Sequence, residues 1–435
     1  MFNSFLNFFF YDRSHEDFVA KLQYYSCLLL SFSIPFNNFL INVAIGLLLL
    51  GWILQGGYFV SIRGIIQSPG LAALSALFFL HIAGLLYSEN MSEGIFVVEK
   101  KLSLFLFPLL IGANKKINFS LADIKKIICF FVVACCIVSS LCFARGIYFW
   151  IINHTNEKLF YHELSSLFNL HAVYLSAYLI FSVFFLLYLL YDNFSKWNIY
   201  YKITSISIIL FFTVIILLLS ARSAIFVYIL LFICFIFYSF YKKKKLPLAM
   251  LLSTLFLLLV IAMIIKIPFI YDRFYEIAES KWYFSPYENN ANGFTLRIVK
   301  WSCSLQGIKE NFWLGVGTGD AQDYLQMCYK GRNFWGEVFH FNSHNQFLQT
   351  GLTVGIVGLL VFIYCLIFPL VQAFIRKNFL LFIFLSIVIL CSLTESFLER
   401  QQGVIFFCFF YCLLMRVNNN IAIHAAGIDA AGKTK

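Results

Sequence analysis

Long apolar runs recur along almost the whole chain, and they constrain the fold more than any other feature of the sequence. Each run of about 18–25 residues is long enough to cross roughly 30 Å of hydrocarbon as an α-helix. Of the 435 residues, 61% are hydrophobic and only 12% are charged. A soluble protein of this length needs more charged residues to cover its surface. We therefore predict an all-α integral membrane protein.

Hydropathy predicts about twelve transmembrane helices. The first and fourth are short enough to be tilted, broken or re-entrant, so the number is uncertain by one or two. The predicted spans are 22–35, 37–55, 68–87, 102–113, 121–144, 169–191, 203–220, 222–240, 246–265, 344–375, 378–396 and 402–416.

The positions of the basic residues predict the orientation independently, because hydropathy does not use the sign of a charge. With the N-terminus inside, eighteen of the 32 Lys and Arg residues fall in cytoplasmic segments, against six in short outside loops. Both termini are therefore predicted to be cytoplasmic. The net charge of +11 follows from this distribution, and no nucleic-acid-binding motif accompanies it.

The spans divide the chain into four parts. Residues 1–265 form an N-terminal transmembrane bundle of about nine spans, and 266–343 form one large loop on the outside. Residues 344–416 form the C-terminal transmembrane helices, and 417–435 a cytoplasmic tail. The large loop contains only two cysteines, Cys303 and Cys328. An oxidising compartment could pair them, but the sequence leaves this pairing open.

His344 opens the tenth predicted span. If the helix begins there, the later positions Gly351, Gly355 and Gly358 share its face and let another helix approach closely. His344 would then lie at the outer mouth of a helix–helix seam, partly buried and reachable from outside. The alternative is an interfacial histidine that caps the helix together with Ser343.

Two arginines lie where a simple solvated surface does not explain them. Arg222 falls in a tight outside turn between two apolar runs, where it either extends to a lipid phosphate or holds a specific phosphate. Arg297 lies on the apolar stripe of a predicted amphipathic helix, 294–308. It either makes a cation–π contact with Trp301 or forms the second arm of an anion site.

Other charged groups also gather at the predicted outer boundary. Lys100 and Lys101 follow the third span, and His81 within that span is predicted to be a satisfied core histidine. Between the last two spans, Glu395, Glu399 and Arg400 form either an ion-pair network or part of the site.

The sequence Gly315-Val316-Gly317-Thr318-Gly319-Asp320 resembles a nucleotide-binding loop, but it lacks a strand–turn–helix context and lies outside, so we predict a turn. No DxD, HExxH or Cys/His cluster indicates a catalytic metal. No charged residue lies at the centre of a span, which disfavours an ion-coupled transporter.

These residues together resemble the O-antigen ligase and polymerase superfamily of bacterial envelope glycosyltransferases. The His-Asn run followed by spaced glycines is the most specific match, and the similarity covers most of the chain in span order and loop position. The matching segments are Ser220-Ala221-Arg222-Ser223, Thr295-Leu296-Arg297, Phe312-Trp313-Leu314-Gly315-Val316-Gly317, His344-Asn345-Gln346-Phe347-Leu348-Gln349 with Gly351, Gly355 and Gly358, and Glu99-Lys100-Lys101-Leu102.

The resemblance implies a membrane glycosyltransferase C-type fold in the bacterial inner membrane. A glycan would pass from an undecaprenyl-diphosphate carrier to an acceptor on the periplasmic side, with no metal, nucleotide or other cofactor. Arg222 and Arg297 would hold the lipid diphosphate, and His344 would activate the acceptor hydroxyl. Supporting roles would fall to Lys101, Asn345, Glu395 and Arg400.

Within this superfamily the leading hypothesis is an O-antigen ligase, whose acceptor is the lipid A–core oligosaccharide. An O-antigen or capsule polymerase would instead use a second lipid-linked glycan as acceptor. A protein O-oligosaccharyltransferase is a third alternative, although such relatives usually have a longer C-terminal part. A lipid-glycan transporter would need a polar cavity through the whole membrane, and the spans show little polarity.

Overall fold

The computed structural model describes residues 17–36, 38–114, 117, 119–241, 244–278, 293–334, 336 and 338–432, with side chains as far as Val417. Residues 1–16, the part of the large loop at 279–292 and the side chains of the predicted tail lie outside this description. The α-helices are α1 Phe18–Ser33, α2 Asn38–Gln55, α3 Tyr58–Gln67, α4 Pro69–Ala83, α5 Met91–Lys101, α6 Ser103–Phe107, α7 Leu121–Asn153, α8 Tyr161–Ser165, α9 Ala172–Asn193, α10 Ile199–Leu218, α11 Arg222–Tyr241, α12 Leu246–Lys266, α13 Pro268–Ala278, α14 Gly293–Glu310, α15 Ala321–Gly331, α16 Gln346–Ile375, α17 Phe379–Ser392 and α18 Gln401–Gly432.

Among the described residues, eight helices are long and apolar enough to cross a membrane, judged by length and composition. They are α2, Pro69–Tyr87 (α4 and the turn after it), α7, α9, α10, α11, α12 and α16. Two shorter apolar helices, α17 and Gln401–Val417 of α18, coincide with the last two predicted spans. The predicted fold class, an all-α integral membrane protein, is confirmed.

The two short predicted spans have a different form. The first corresponds to α1, which has only 16 residues. The fourth is divided into α6 and a π-helical turn, Pro108–Gly112. Pro108 has no backbone N–H to donate, and π-helical turns mark such local irregularities. The last helix also continues to Gly432, beyond the predicted end of the span at residue 416.

The centre of the bundle is formed by α9 and the first half of α18. In α9, 89% of the apolar window is buried, against 17% in α12 and 22% in α2. From Val404 to Leu414, the side chains of α18 are at most 1% exposed. A helix that is apolar all round suits this central position, while the exposed leucines and isoleucines of α2 and α12 suit lipid contact.

α16 is kinked instead of continuous. Val354 (φ −127°, ψ 20°) and Gly355 (φ 67°, ψ −168°) leave the helical region, which frees backbone groups around them. The predicted turn at 315–320 supplies the missing partners, because buried backbone groups need hydrogen bonds. Val316 N donates to Leu352 O (2.8 Å), Gly317 N to Thr353 O (3.1 Å), and Ile356 N to Phe312 O (2.8 Å).

The described part of the large loop is folded. Helices α14 and α15 share a small core that includes Val299, Leu325 and Tyr329. A disulfide joins Cys303 of α14 to Cys328 of α15, which settles the pairing that the sequence left open. A helix is present at the predicted 294–308 as part of α14, but its buried face includes Val299, Cys303 and Gly307 and is not the predicted apolar stripe, on which Leu305 is exposed.

Candidate functional site

Side chains from six separate segments enclose a cavity of about 510 Å³ at one end of the helical bundle. We call this end, where α9 and α11 begin, the site end. Among the described residues, five cationic side chains and four histidines line the cavity, against two carboxylates. The titratable lining residues are Arg222, Arg273, Arg297, Lys300, Arg400, His162, His171, His340, His344, Glu276 and Glu395.

The three arginines on one side of the cavity belong to α11, α13 and α14. Nη1 of Arg222, the first residue of α11, donates to the carbonyl oxygen of Arg273 (2.7 Å) and lies 3.3 Å from Oε2 of Glu276. Arg297 donates from Nη1 to Gly293 O (3.2 Å). It makes no cation–π contact with Trp301 in the described structure.

Gly293 makes room for Arg222. A Cβ atom at position 293 would lie 2.5 Å from Nη2 of Arg222, closer than van der Waals contact permits. A larger residue at position 293 would therefore displace the guanidinium of Arg222 from its present position.

Some polar atoms in this wall have no protein partner. Nε of Arg273 and Nε of Arg297 are buried and make no hydrogen bond among the described residues. The guanidinium of Arg273 lies instead over the ring of Tyr161, 3.6 Å from its centroid. Unsatisfied buried donors are costly, and they suit an anionic ligand that accepts from them.

Lys300 lies one turn after Arg297 on α14 and is 4% exposed. Its Nζ atom is 3.6 Å from the centroid of the Phe341 ring, a cation–π contact. Burial, together with the positive charge of the neighbouring Arg297, lowers the pKa of Lys300 to about 7. This lysine therefore titrates near neutral pH.

His344 pairs with Glu395. Its Nδ1 lies 3.3 Å from Oε2 of Glu395, and because an ionised carboxylate only accepts, we assign the proton to Nδ1. Burial lowers the pKa of His344 against the opposing effect of Glu395. Burial raises the pKa of Glu395, but His344, His171 and Arg297 outweigh this and bring it to about 2. The pair is thus a neutral imidazole, basic at Nε2, held by an ionised carboxylate.

The backbone also holds His344 in place. Its φ of 45° is in the left-handed region, which costs free energy for a residue with a Cβ and occurs often at functional sites. The backbone N–H of His344 donates to Oδ1 of Asn342 (3.0 Å). The ring lies edge-on to Phe341, with 5.9 Å between the ring centroids.

A second pair of histidines forms the wall contributed by the segment between α7 and α9. The rings of His162 and His171 lie 3.8 Å apart between centroids, and Nδ1 of His162 accepts from Ala172 N (3.2 Å). Burial, assisted by the charge of Arg273, lowers the pKa of His162 to about 4. Burial, assisted by His162, lowers the pKa of His171 to about 3. Both are therefore neutral at pH 7.

The structure corrects the predicted setting of His344. α16 begins at Gln346 instead of at 344, and Asn345 caps it by accepting from Leu348 N (3.1 Å). His344 therefore neither lies on the helix nor caps it. The glycines do not form one continuous seam, because Gly355 lies at the kink. The close approach predicted for them holds at Gly351, where a Cβ would lie 3.0 Å from Ile308 of α14.

Of the four predicted supporting residues, Glu395 and Arg400 line the cavity, whereas Lys101 and Asn345 do not. Lys101 is buried, and its Nζ atom is 2.7 Å from Oε1 of Glu399. Asn345 donates from Nδ2 to Leu393 O (3.0 Å). Both residues fasten the segment between α17 and α18, so Glu395 and Glu399 have separate partners instead of forming one network.

Two further predictions are confirmed near the site. His81 is buried, and its Nδ1 lies 2.8 Å from Leu77 O, as expected of a satisfied core histidine. The glycine-rich segment at 315–320 is a turn, with Gly315 (φ 75°) and Gly317 (φ 109°) in conformations that suit glycine. Among the described residues, no group of three or more His, Cys, Asp or Glu could hold a metal ion.

Sequence reasoning missed Arg273, Lys300, His162 and His171. The spacing of Lys300 three residues after Arg297 was a usable signal, because residues three apart share a helix face. Arg273 lies on the short helix α13, and His162 and His171 lie between α7 and α9, in segments too short for a periodic pattern to show which way a side chain points.

The fold and the cavity together define a class: an all-helical, multi-pass membrane protein with a polycationic cavity at one end of its helices. A family model described as O-Antigen ligase matches residues 206–363, the stretch that holds Arg222, Arg297 and His344. No curated protein matches the chain. Over this part of the chain, the family match agrees with the resemblance found in the sequence.

Proposed function

We propose that this chain is a membrane glycosyltransferase of the O-antigen ligase type. It transfers a glycan from undecaprenyl diphosphate to a lipid A–core oligosaccharide on the periplasmic face of the bacterial inner membrane. One observation carries the proposal: the ionised Glu395 and neutral His344 form one wall of a cavity that holds five cationic side chains.

The cations suit the leaving group. Cleavage of the bond between the sugar C1 and the phosphate oxygen leaves its electron pair on the diphosphate, so negative charge grows there. Arg222, Arg273 and Arg297 present guanidinium groups that pair with phosphate oxygens in a bidentate manner. Fixed cations in a buried site stabilise such developing charge far better than water does. These side chains supply the positive charge that a metal ion supplies in other transferases.

The histidine suits the nucleophile. As the acceptor hydroxyl oxygen forms its bond to C1, its proton passes to Nε2 of His344. Glu395 accepts the hydrogen bond from Nδ1–H, which fixes the tautomer, and it stabilises the imidazolium that forms, as the carboxylate does in a catalytic triad. Attack opposite the diphosphate inverts the configuration at C1. The free energy comes from the donor linkage, so no nucleotide is needed.

A matched pair of variants tests the role of His344. His344 and His154 both have left-handed backbone conformations (φ 45° and 52°), and asparagine tolerates that region. We expect His344→Asn to lower transfer by about 10²–10⁴-fold, the usual contribution of a general base. His154→Asn, in an exposed loop outside the cavity, should retain wild-type activity. Transfer is measured with purified protein, a defined lipid-diphosphate-linked glycan and lipid A–core.

The arginines are tested in the same assay. Arg222→Gln and Arg297→Gln should each lower transfer by about 10²–10³-fold, the cost of removing one group that stabilises developing charge. Arg63→Gln, an exposed arginine of α3 outside the cavity, serves as the control. Full activity in His344→Asn together with Arg222→Gln would defeat the site assignment.

A deletion strain separates ligase from polymerase. Loss of a ligase leaves long polymer on the carrier and bare core lipid. Loss of a polymerase leaves single repeat units attached to the core. The second pattern would reassign the acceptor to another lipid-linked glycan while leaving the donor chemistry of the cavity unchanged.

A further inference from the structure

A second, smaller cavity of about 120 Å³ adjoins the cationic one at the site end. His340 and Asn342 line both cavities. Asn342 also accepts a hydrogen bond from the backbone N–H of His344 (3.0 Å). A molecule in the second cavity therefore contacts the residue that fixes the backbone position of the proposed base.

The lining of the second cavity has a different chemical character from that of the first. In place of arginines it presents the amides of Gln322, Gln349 and Asn342, the carboxylates of Glu93 and Glu399, and two threonine hydroxyls, with one lysine. Uncharged amides and hydroxyls, with carboxylates as strong acceptors, match sugar hydroxyl groups, each of which both donates and accepts. Glu399 is paired with Lys101 and the one lining lysine, Lys100, is matched by Glu93, so the lining has no excess positive charge that would favour a phosphate or an acidic sugar.

Hydrogen bonds orient the two glutamine amides in opposite senses. Oε1 of Gln349 accepts from Ser343 N (3.0 Å) and Ser343 Oγ (2.7 Å), so its NH₂ group has no bond among the described residues and remains to donate. Nε2 of Gln322 donates to Phe341 O (3.3 Å), which leaves its Oε1 to accept. The cavity lining therefore offers a fixed donor from Gln349 and a fixed acceptor from Gln322.

The size of the cavity limits its occupant. A volume of about 120 Å³ is less than a quarter of the 510 Å³ of the cationic cavity, so the occupant is at most one sugar ring and not a glycan chain. The larger, cationic cavity has room for a diphosphate and the sugar attached to it.

We propose that the second cavity is the acceptor subsite and binds the neutral sugar ring that carries the attacking hydroxyl group. This proposal rests on the proposed transfer function. Gln322 and Glu93 hold the ring from the side away from His344. The bound ring reaches the base past Asn342, so its hydroxyl meets Nε2 of His344 while the diphosphate lies among the arginines.

Kinetics of two variants test the subsite. Gln322→Ala and Glu93→Gln change residues that line only the second cavity. We expect the double variant to raise the KM for lipid A–core by about tenfold, the effect of losing one or two hydrogen bonds, with kcat and the donor KM unchanged. Gln326→Ala on the same α15 and Glu99→Gln on the same α5 line neither cavity and should leave all three constants unchanged. An unchanged acceptor KM, or a raised donor KM, would overturn the proposal.

Direct binding separates this proposal from the proposed function. The probe is core oligosaccharide released from lipopolysaccharide by mild acid, with saturation-transfer NMR on the detergent-solubilised full chain. Binding by the wild type that is lost in the double variant supports the subsite even if no transfer occurs, in which case only the transfer function fails. Transfer with equal binding by wild type and double variant refutes the subsite alone. Absence of both binding and transfer refutes both.

Discussion

At the scale of single residues, Lys300 is the least expected member of the site. A buried lysine is costly when charged, and its Nζ atom lies over the ring of Phe341, which also lies against His344. Burial brings the pKa of Lys300 to about 7; Arg297 acts in the same direction and Glu395 opposes it. The lysine is therefore charged below neutral pH and increasingly neutral above it.

We predict that donor affinity falls as the pH rises from 6 to 8. Because the folded-state pKa of Lys300 lies near 7, deprotonation removes one cation from the cavity over this interval, while the arginines stay charged. The donor KM should therefore rise with pH in the wild type. The measurement is the donor KM across this pH range in the transfer assay.

Two substitutions at position 300 check that prediction. Lys300→Arg keeps the charge at all these pH values and should flatten the pH dependence. Lys300→Met should give a high donor KM that does not vary with pH. A wild-type profile retained in Lys300→Met would show that another group is responsible.

The lowered pKa of Lys300 also affects stability. A lysine with a lowered folded-state pKa destabilises the fold most at low pH, and this cost declines as the pH rises above 7.

At the scale of elements, the kink of α16 and the glycine-rich turn form one unit. The turn donates to the carbonyls that the kink leaves open, and α14 leads directly into that turn. Arg297 and Lys300 lie on α14, and His344 immediately precedes α16. The kink thus sets the position of Arg297 and Lys300 relative to His344.

Gly355→Ala should be strongly destabilising. At φ 67° and ψ −168° the backbone of Gly355 is in a region open essentially to glycine alone. A Cβ there would also lie 2.2 Å from Trp313 O. Gly46→Ala in α2 is the control, since nothing lies within 4 Å of its Cβ position. Thermal unfolding in detergent should show a much lower unfolding temperature for Gly355→Ala and an unchanged one for Gly46→Ala.

The disulfide should stabilise the arm of the site formed by α14 and α15. Cys303 and Cys328 close a loop with a sequence separation of 25, and such cross-links contribute about 2–4 kcal/mol. We expect Cys328→Ser to increase limited proteolysis of α14 and α15 and to raise the donor KM, because Arg297 and Lys300 lie on α14. Cys234→Ser, at an exposed free cysteine, should do neither. Unchanged proteolysis of Cys328→Ser would contradict a stabilising role.

At the scale of the whole molecule, pairs of crossing helices bring the site together. α9 runs away from the site end and α10 returns to it. The pairs α11 and α12, and α16 and α17, do the same. Each return brings the next segment back to the site end. The cavity residues therefore all lie at the site end. They come from the segments before α9, between α10 and α11, after α12, before α16 and after α17.

Labelling of introduced cysteines tests this arrangement and its orientation. In a Cys234→Ser background, Leu167→Cys and Lys309→Cys are exposed positions at the site end, and Lys196→Cys lies at the opposite end. A membrane-impermeant maleimide on intact spheroplasts should label the first two and not the third. Labelling of Lys196→Cys alone would reverse the orientation. Labelling of only one of the two site-end positions would contradict the arrangement itself.

The sequence predicted the membrane class and ten of the twelve spans as apolar helices, and it singled out Arg222, Arg297 and His344, which line one cavity in the structure. It succeeded there because burial in lipid imposes a continuous apolar run, and because a charge at the edge of such a run stands out. It failed on the start of α16, since Asn342-Ser343-His344-Asn345 can continue a helix or cap one. Only the hydrogen bonds of Asn345 and the kink at Gly355 decide between these.

What the sequence determined by itself is therefore the placement of ten apolar helices, together with the unusual positions of Arg222, Arg297 and His344. The tertiary structure alone decided that Arg273, Lys300, His162 and His171 join them, that Glu395 holds His344, and that Lys101 is tied to Glu399. The physical reason is that helix periodicity is local along the chain. A cavity is built by long-range packing, which brings together side chains from connecting segments whose directions no local pattern specifies.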